Sequence, residues 1–346
     1  MRSHSLRHGS RRARLTARLL PGSLLALLLV AAAGCARTSE IEWESPIGRT
    51  QPLAGRIWDV GAAAFVEPRT LVERLAASRW VLLGERHDNP DHHALQARLV
   101  RELAAKGRRP AVGFEMFSTD DAPAIARYLV GSKNAAGLGA AVGWQRSGWP
   151  DWRLYEPIAQ AALDAGLPIV ATNLSRAATE ALRRNGLGGL GPVMLRQLKL
   201  DAPPPAVRAS MAGVIREAHC GQTPDAALDR LMDVQWARDA RIAEALARAG
   251  RRDGAVLIAG TGHVRRDLGV PVHLERHAPG MTIAAVALLE VEAGATAPTD
   301  YAARHGGALP FDYVWFTPRI DDVDPCAKFE KSLEELRKST QEPGQP

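Results

Sequence analysis

Tyrosine is scarce in this chain of 346 residues, with four copies, and cysteine is scarcer, with three. No Cys-x-x-Cys-His stretch occurs, so a c-type cytochrome is excluded. Gly-x-Ser-x-Gly is missing as well, which removes the nucleophile elbow of a classical serine hydrolase. There is no short tandem repeat. The first 34 residues hold no acid, yet carry Arg2, Arg7, Arg11, Arg12, Arg14 and Arg18. Those arginines equal the whole excess of 44 basic over 38 acidic residues, so the +6 formal charge belongs to this leader. Without it the chain is formally neutral. A nucleic-acid partner therefore finds no support, because it needs a basic patch on the folded domain.

The basic stretch is followed by an apolar run, Leu19 to Ala33, broken at Pro21, Gly22 and Ser23, and then by Gly34-Cys35. That is the layout of a secretory signal peptide over residues 1–34. The run is short for a membrane span, which takes about 20 residues; a permanent anchor helix is the competing reading. Ala32-Ala33-Gly34-Cys35 resembles a bacterial lipobox, with alanine where leucine is usual, which implies lipidation of Cys35. Ser10-Arg11-Arg12 echoes a twin-arginine signal, but Arg14 stands where an aromatic is usual. Cleavage would leave about 310 residues, one large domain or two small ones. Cys220 and Cys326 would then sit in a compartment that permits disulfides, either bridged or as two buried thiols. Closing that loop would contribute about 4 kcal/mol in the chain-entropy model.

Residues 35–56 are polar and aperiodic and read as a lipidated tether. Residues 57–326 read as the domain, and 327–346 as a polar tail with a frayed helix from Glu330 to Lys338. Apolar bursts at Trp80–Gly84, Ala111–Glu115, Leu167–Ala171, Ala255–Ala259, Thr282–Val291 and Asp312–Phe316 are candidate strands. Most are separated by helical patterns, which implies crossover connections. The expected fold is α/β: a mainly parallel central sheet flanked by helices. An antiparallel edge is expected from the late strands, and a helical insertion around residues 186–223.

Two bursts end alike. Leu83-Gly84-Glu85-Arg86-His87 and Ala259-Gly260-Thr261-Gly262-His263 each run from a buried strand into Gly-x-x-His. Ligands of α/β folds sit beyond the carboxyl ends of the strands, so both histidines are aimed at one crevice. Glu115 ends another burst and would join them. Two histidines and two carboxylates suit a divalent metal held by His87, Glu115 and His263. They could equally form a hydrogen-bonded knot that fixes the loops. Asn89 and Pro90 start a helix as N-cap and first residue. His92 on its first turn looks into the crevice or onto the sheet, whereas His93 lies off the buried face and is expected in solvent. On the Asp225–Ala249 helix, Gln235 and Asp239 interrupt the stripe of Leu228, Leu231, Met232, Ile242 and Leu246. A buried carboxylate without a partner is costly, so Asp239 must meet an arginine such as Arg176, or the site itself.

Trp144, Trp149 and Trp152 are three of eight tryptophans, clustered beside Arg146, Arg153 and Tyr155 in a loop leading into a helix. Flat faces with arginines suit a planar anionic ligand such as a porphyrin, and Tyr155 could ligate ferric iron. A satellite core beneath a long loop is the alternative.

These stretches resemble the ChaN-like haem-binding lipoproteins, in the superfamily that includes the TIKI and TraB proteins and erythromycin esterase. The resemblance runs from about Trp80 to Cys326. It rests on Leu83 to Asp88, Phe114-Glu115-Met116, Trp144 to Tyr155, Ala171-Thr172-Asn173-Leu174, Gln235 with Arg238-Asp239, Gly260 to His263 with Gly269-Val270-Pro271, and Trp315-Phe316-Thr317-Pro318. It implies an envelope lipoprotein that binds haem in iron acquisition, with tyrosine ligation and a homodimer formed around haem. Tyr155 is the preferred ligand among Tyr128, Tyr155, Tyr301 and Tyr313. Trp144, Trp149, Trp152, Arg146, His92, Asn173, Gln235 and Asp239 are expected to line the cofactor. Ala36 after the lipid cysteine resembles lipoproteins sent to the outer membrane, facing the periplasm. The TIKI branch implies an alternative: a metal-dependent hydrolase with His87, Glu115 and His263 on the metal and Glu85 as base.

Overall fold

The computed structural model describes residues 41–132, 134–324, 326–328, 330, 331 and 334. The expected signal peptide, Cys35 and residues 36–40 lie outside the described residues, as does most of the tail. Within that tail, residues 327, 328, 330, 331 and 334 are helical.

One eight-stranded sheet organises the domain: β1 (Ile57–Asp59), β2 (Ala64–Val66), β3 (Trp80–Glu85), β4 (Ala111–Ser118), β5 (Ile169–Asn173), β6 (Ala255–Gly260), β7 (Ile283–Glu290) and β8 (Tyr313–Thr317). Its order is β2-β1-β8-β7-β3-β6-β4-β5. All pairings from β8 through β5 are parallel. Such strands are covered on both faces, which is why they read as unbroken apolar runs. Alternation along β3 divides the core. Val81 and Leu83 pack towards Leu95, Leu99 and Ile158, while Trp80 and Leu82 pack towards Ile242, Leu246 and Leu274.

The six expected strands are all present. The antiparallel edge is present too, but the late strands do not make it. β7 and β8 run parallel to β3, and the edge is the hairpin of β1 with β2, with β1 antiparallel to β8. Three-residue strands are too short to show a period, which hid that hairpin.

Residues 41–56 also depart from the tether reading. The backbone N–H groups of Glu44 and Ser45 donate to the Asp91 carboxylate, Ile47 bridges Arg319, and Leu53 is buried. Backbone polar groups answered by a distant carboxylate leave no hydrophobic pattern in the sequence. The helical insertion follows β5. Its Arg176–Asn185, Gly191–Gln197 and Pro205–Ala218 helices pack with Asp225–Ala249 around Leu182, Leu198, Met211 and Trp236. A Cys220–Cys326 disulfide, with Cα atoms 5.5 Å apart, ties this insertion to the C-terminal segment.

Candidate functional site

Pairing of β3 with β6 sets Glu85 opposite Gly260, so the two Gly-x-x-His motifs start one residue apart on neighbouring strands. Both glycines are required by close approach. A Cβ on Gly84 would collide with Val264, and one on Gly260 would lie 2.9 Å from His87 Nε2. His87 and His263 therefore meet at one strand mouth, with Glu115 of β4 between them.

Glu85 is fully buried, with Oε1 hydrogen-bonded and Oε2 facing His93 without a hydrogen bond. Its Oε1 accepts from the Tyr155 hydroxyl at 3.0 Å and from His87 Nδ1 at 3.0 Å, and its Oε2 lies 3.1 Å from His93 Nε2. Burial alone would raise this carboxyl; the adjacent His93 and His87 outweigh it and hold the group down to about 2. His87 shifts upward: burial opposes its charge, but Glu85 and Glu115 prevail.

The second half of the knot is His263. Its Nδ1 donates to Asp239 at 2.5 Å and its Nε2 lies 3.0 Å from Glu115 Oε1. Despite burial, these two carboxylates push the imidazole up to about 10. Glu115 is held well below the usual carboxylate range, burial being outweighed by His263. Its Oε2 accepts from the Gly260 N–H at 2.8 Å. The Gln235 amide sits 3.0 Å from His263 Nδ1. Asp239 thus finds its cation in His263 rather than in Arg176.

Other expected site residues serve the scaffold. Asn173 donates to the Glu115 carbonyl and accepts from the Leu174 N–H, closing the end of β5. His92 accepts from the Arg86 N–H at 2.8 Å and meets the Thr317 hydroxyl at 2.8 Å. Burial holds it down to about 3, as a neutral ring. His93, expected in solvent, is buried against the Tyr155 ring at 4.4 Å, because the Trp152–Asp164 helix covers the outer side of Pro90–Ala105.

Among the described residues no group of three or more His, Cys, Asp or Glu is arranged to hold a metal ion. The physical reason is that carboxylates and imidazoles at this mouth spend their donors on one another. The divalent metal expected at His87, Glu115 and His263 is thus not supported.

The aromatic loop does not offer a porphyrin face. Trp144, Trp152 and Tyr155 are buried and packed together with Phe117, the two indoles 4.9 Å apart. Their N–H groups are taken by the carbonyls of Pro150 and Ala135. This is the satellite core that the sequence left open. Trp149 is half-buried and meets His87 edge-on at 4.9 Å, while Arg146 is exposed. Tyr155 is 0% exposed. Burial and the Glu85 charge push its phenol far above the ordinary value, so phenolate is disfavoured there. Tyr155, the expected iron ligand, is thus held here by Glu85 within the packed interior.

Next to this knot, beyond the carboxyl ends of β7 and β8, lies a crevice of about 850 Å³. It falls in the range of small-molecule sites, about 300–1,000 Å³. Leu289, Val291 and Val323 supply apolar wall; Arg86, Arg265, Arg304 and Arg319 supply cations; Tyr301 supplies a phenol. The same wall carries Glu217, Glu290, Glu292, Asp321, Asp322 and Asp324, and all four arginines are already ion-paired, so its charge does not single out an anionic ligand. His92, expected from the sequence to look into a crevice, also lines this one; the residues after β7 were not singled out, although ligands collect beyond the carboxyl ends of parallel strands.

Fold and site together define a class: an α/β protein with a mainly parallel sheet, a helical insertion and its polar and ligand-sized features at the strand mouth. A family model described as haem-binding uptake, Tiki superfamily, ChaN matches residues 71–274, and the chain belongs to that family. Among solved structures it is similar to ChaN of Campylobacter jejuni, described as binding heme cofacially. The identity is 21% and the TM-score 0.60, over 75% of this chain and 95% of that one. A likeness to the erythromycin esterase EreC has 15% identity and a TM-score of 0.43, over 83% of this chain and all of that one. No curated protein matches the chain.

Proposed function

We propose that this protein is an exported, lipid-anchored haem-binding protein that takes part in acquiring haem or its iron. The observation that carries the reading is the family match, which runs from the Pro68–Ala77 helix to the Val270–His277 helix. The crevice adds a volume in the range of small-molecule sites. Anchoring through Cys35 after removal of residues 1–34, placement at the outer membrane facing the periplasm, and pairing of two copies around haem belong to the same proposal. A metal-dependent hydrolase is not proposed. Its intended base, Glu85, is 2% exposed, and its Oε1 already accepts from Tyr155 and His87.

Titrating residues 36–346 with hemin tests the reading. The expected result is a saturable Soret shift with a dissociation constant of about 1 µM or tighter, on the order of −8 kcal/mol. Sedimentation of the same samples is expected to show dimers only with hemin. No Soret shift at 100 µM protein would sink the proposal. Cys35→Ser is expected to move the protein from the membrane to the soluble fraction.

A further inference from the structure

We propose that the amino end of the sheet, opposite the strand mouth, docks on a phospholipid surface of net negative charge. Parallel pairing sets the entries to neighbouring strands level: Trp80 of β3 and Ala111 of β4 both stand opposite Ala255 of β6. The segments that lead into them therefore come together, and they are rich in arginine. Arg79 leads into β3, Arg108 and Arg109 into β4, and Arg248, Arg251 and Arg252 into β6.

No carboxylate answers these six. Among the described residues none of them forms an ion pair within 4.0 Å. Arg79 donates to the carbonyls of Gly250 and Arg252, and Arg108 to those of Ala76 and Ser78. A carbonyl carries no net charge, so both guanidiniums keep theirs. Burial, and then the adjacent Arg79 charge, lower the Arg108 guanidinium from its ordinary value, as expected where cations crowd. Arg109, Arg248, Arg251 and Arg252 are exposed. A helix C-terminus favours cations only within its last turn. That accounts for Arg248 on the Asp225–Ala249 helix, but not for Arg251 or Arg252 beyond it. Formal neutrality of the chain without its leader hides this face, because carboxylates such as Glu217, Glu292, Asp322 and Asp324 gather around the crevice instead.

Two features favour a bilayer as the occupant. The level strand entries set the cations side by side across one end of the sheet. Met281, 48% exposed, stands beside them, held there because the Arg79 N–H donates to the Thr282 hydroxyl. Pro279 and Met281 share one wall with Arg79, Arg248 and Arg251. Apolar side chains among cations suit a headgroup interface, where buried apolar area and attraction to anionic lipid add. Each arginine near such a surface strengthens binding about fivefold. The proposal goes beyond haem binding and does not depend on it.

The test is co-sedimentation of residues 36–346, disulfide intact, with vesicles of phosphatidylcholine alone or in equal parts with phosphatidylglycerol. Wild type is expected to sediment with the mixed vesicles and not with the neutral ones. Release is expected at ~1 M salt, where the Debye length falls to about 3 Å. The triple variant R248Q/R251Q/R252Q is expected to bind about a hundredfold more weakly, the product of three losses of about fivefold. Met281→Ser is expected to weaken binding several-fold, and Arg304→Gln, beside the crevice, to leave it unchanged. Circular dichroism of each variant separates a lost surface from a lost fold. Equal binding to both kinds of vesicle, binding to neither, or full binding by a folded triple variant would overturn the proposal. Salt-sensitive self-association without vesicle binding would also overturn it, and would make the carboxylate-rich end of a second copy the partner. None of these readouts involves hemin, so haem binding stands or falls separately.

Discussion

His263 Nε2 lies 3.0 Å from Glu115 Oε1, joining the mouth of β6 to the mouth of β4 inside a nearly dry interior. Removing one charge of a buried pair leaves the other poorly compensated, which typically costs about 3–5 kcal/mol. Asp239 remains on the other ring nitrogen, so Glu115→Gln is expected near the low end, about 3 kcal/mol. Urea denaturation at pH 7 measures it. A loss below about 1 kcal/mol would mean that this pair does not hold the strand mouths together.

Stability should fall on both sides of neutrality. His92 is lowered from 6.5 to about 3 by burial, so its contribution is complete above 6.5 and is lost as the pH falls towards 3. Glu85, lowered from 4.5 to about 2, adds a loss that begins below 4.5. His263 acts in the opposite sense. Raised from 6.5 to about 10, it contributes fully below 6.5 and loses that contribution as the pH rises through 10. Unfolding free energy measured from pH 3 to pH 11 should show a maximum near 6.5, with an acid limb and an alkaline limb that ends near 10. A flat alkaline side would contradict the His263 environment.

Gly260→Ala places a Cβ 2.9 Å from His87 Nε2 and 3.7 Å from Glu115 Oε2. The imidazole must shift, giving up its Nδ1 bond to Glu85. Overpacking of this kind costs about 1–3 kcal/mol. NMR titration of the His87 ring is expected to show its pKa falling from the raised value towards 6.5. An unchanged titration would show that the glycine is not required here.

Tyr155→Phe removes one hydrogen bond to a carboxylate that still has two imidazoles beside it. The expected loss is about 1–2 kcal/mol, seen as a lower thermal midpoint.

Legibility of the sequence followed the range of the interactions. Buried parallel strands announce themselves as apolar runs, and the register of β3 with β6 needed only the two Gly-x-x-His motifs to be suspected. The knot at the strand mouth was visible as Glu85, His87, Glu115 and His263, and Asp239 as a carboxylate in want of a partner. Which partner it takes was not visible, because His263 arrives from 24 residues away and on another element. His93 was misplaced because a helical stripe reveals one buried face, whereas Pro90–Ala105 has sheet on one side and Trp152–Asp164 on the other. The tryptophan loop misled for a related reason: aromatic composition does not distinguish a roof over a ligand from rings packed on Phe117. The crevice was hidden because its walls come from at least five separated stretches of chain.

The Cys220–Cys326 bond turns everything between those residues into a covalent ring that carries β6, β7 and β8. A protease that nicks the ring once, at any exposed turn, opens it without dividing the molecule. Both fragments then migrate together on a denaturing gel until a reductant is added, and only afterwards as two bands.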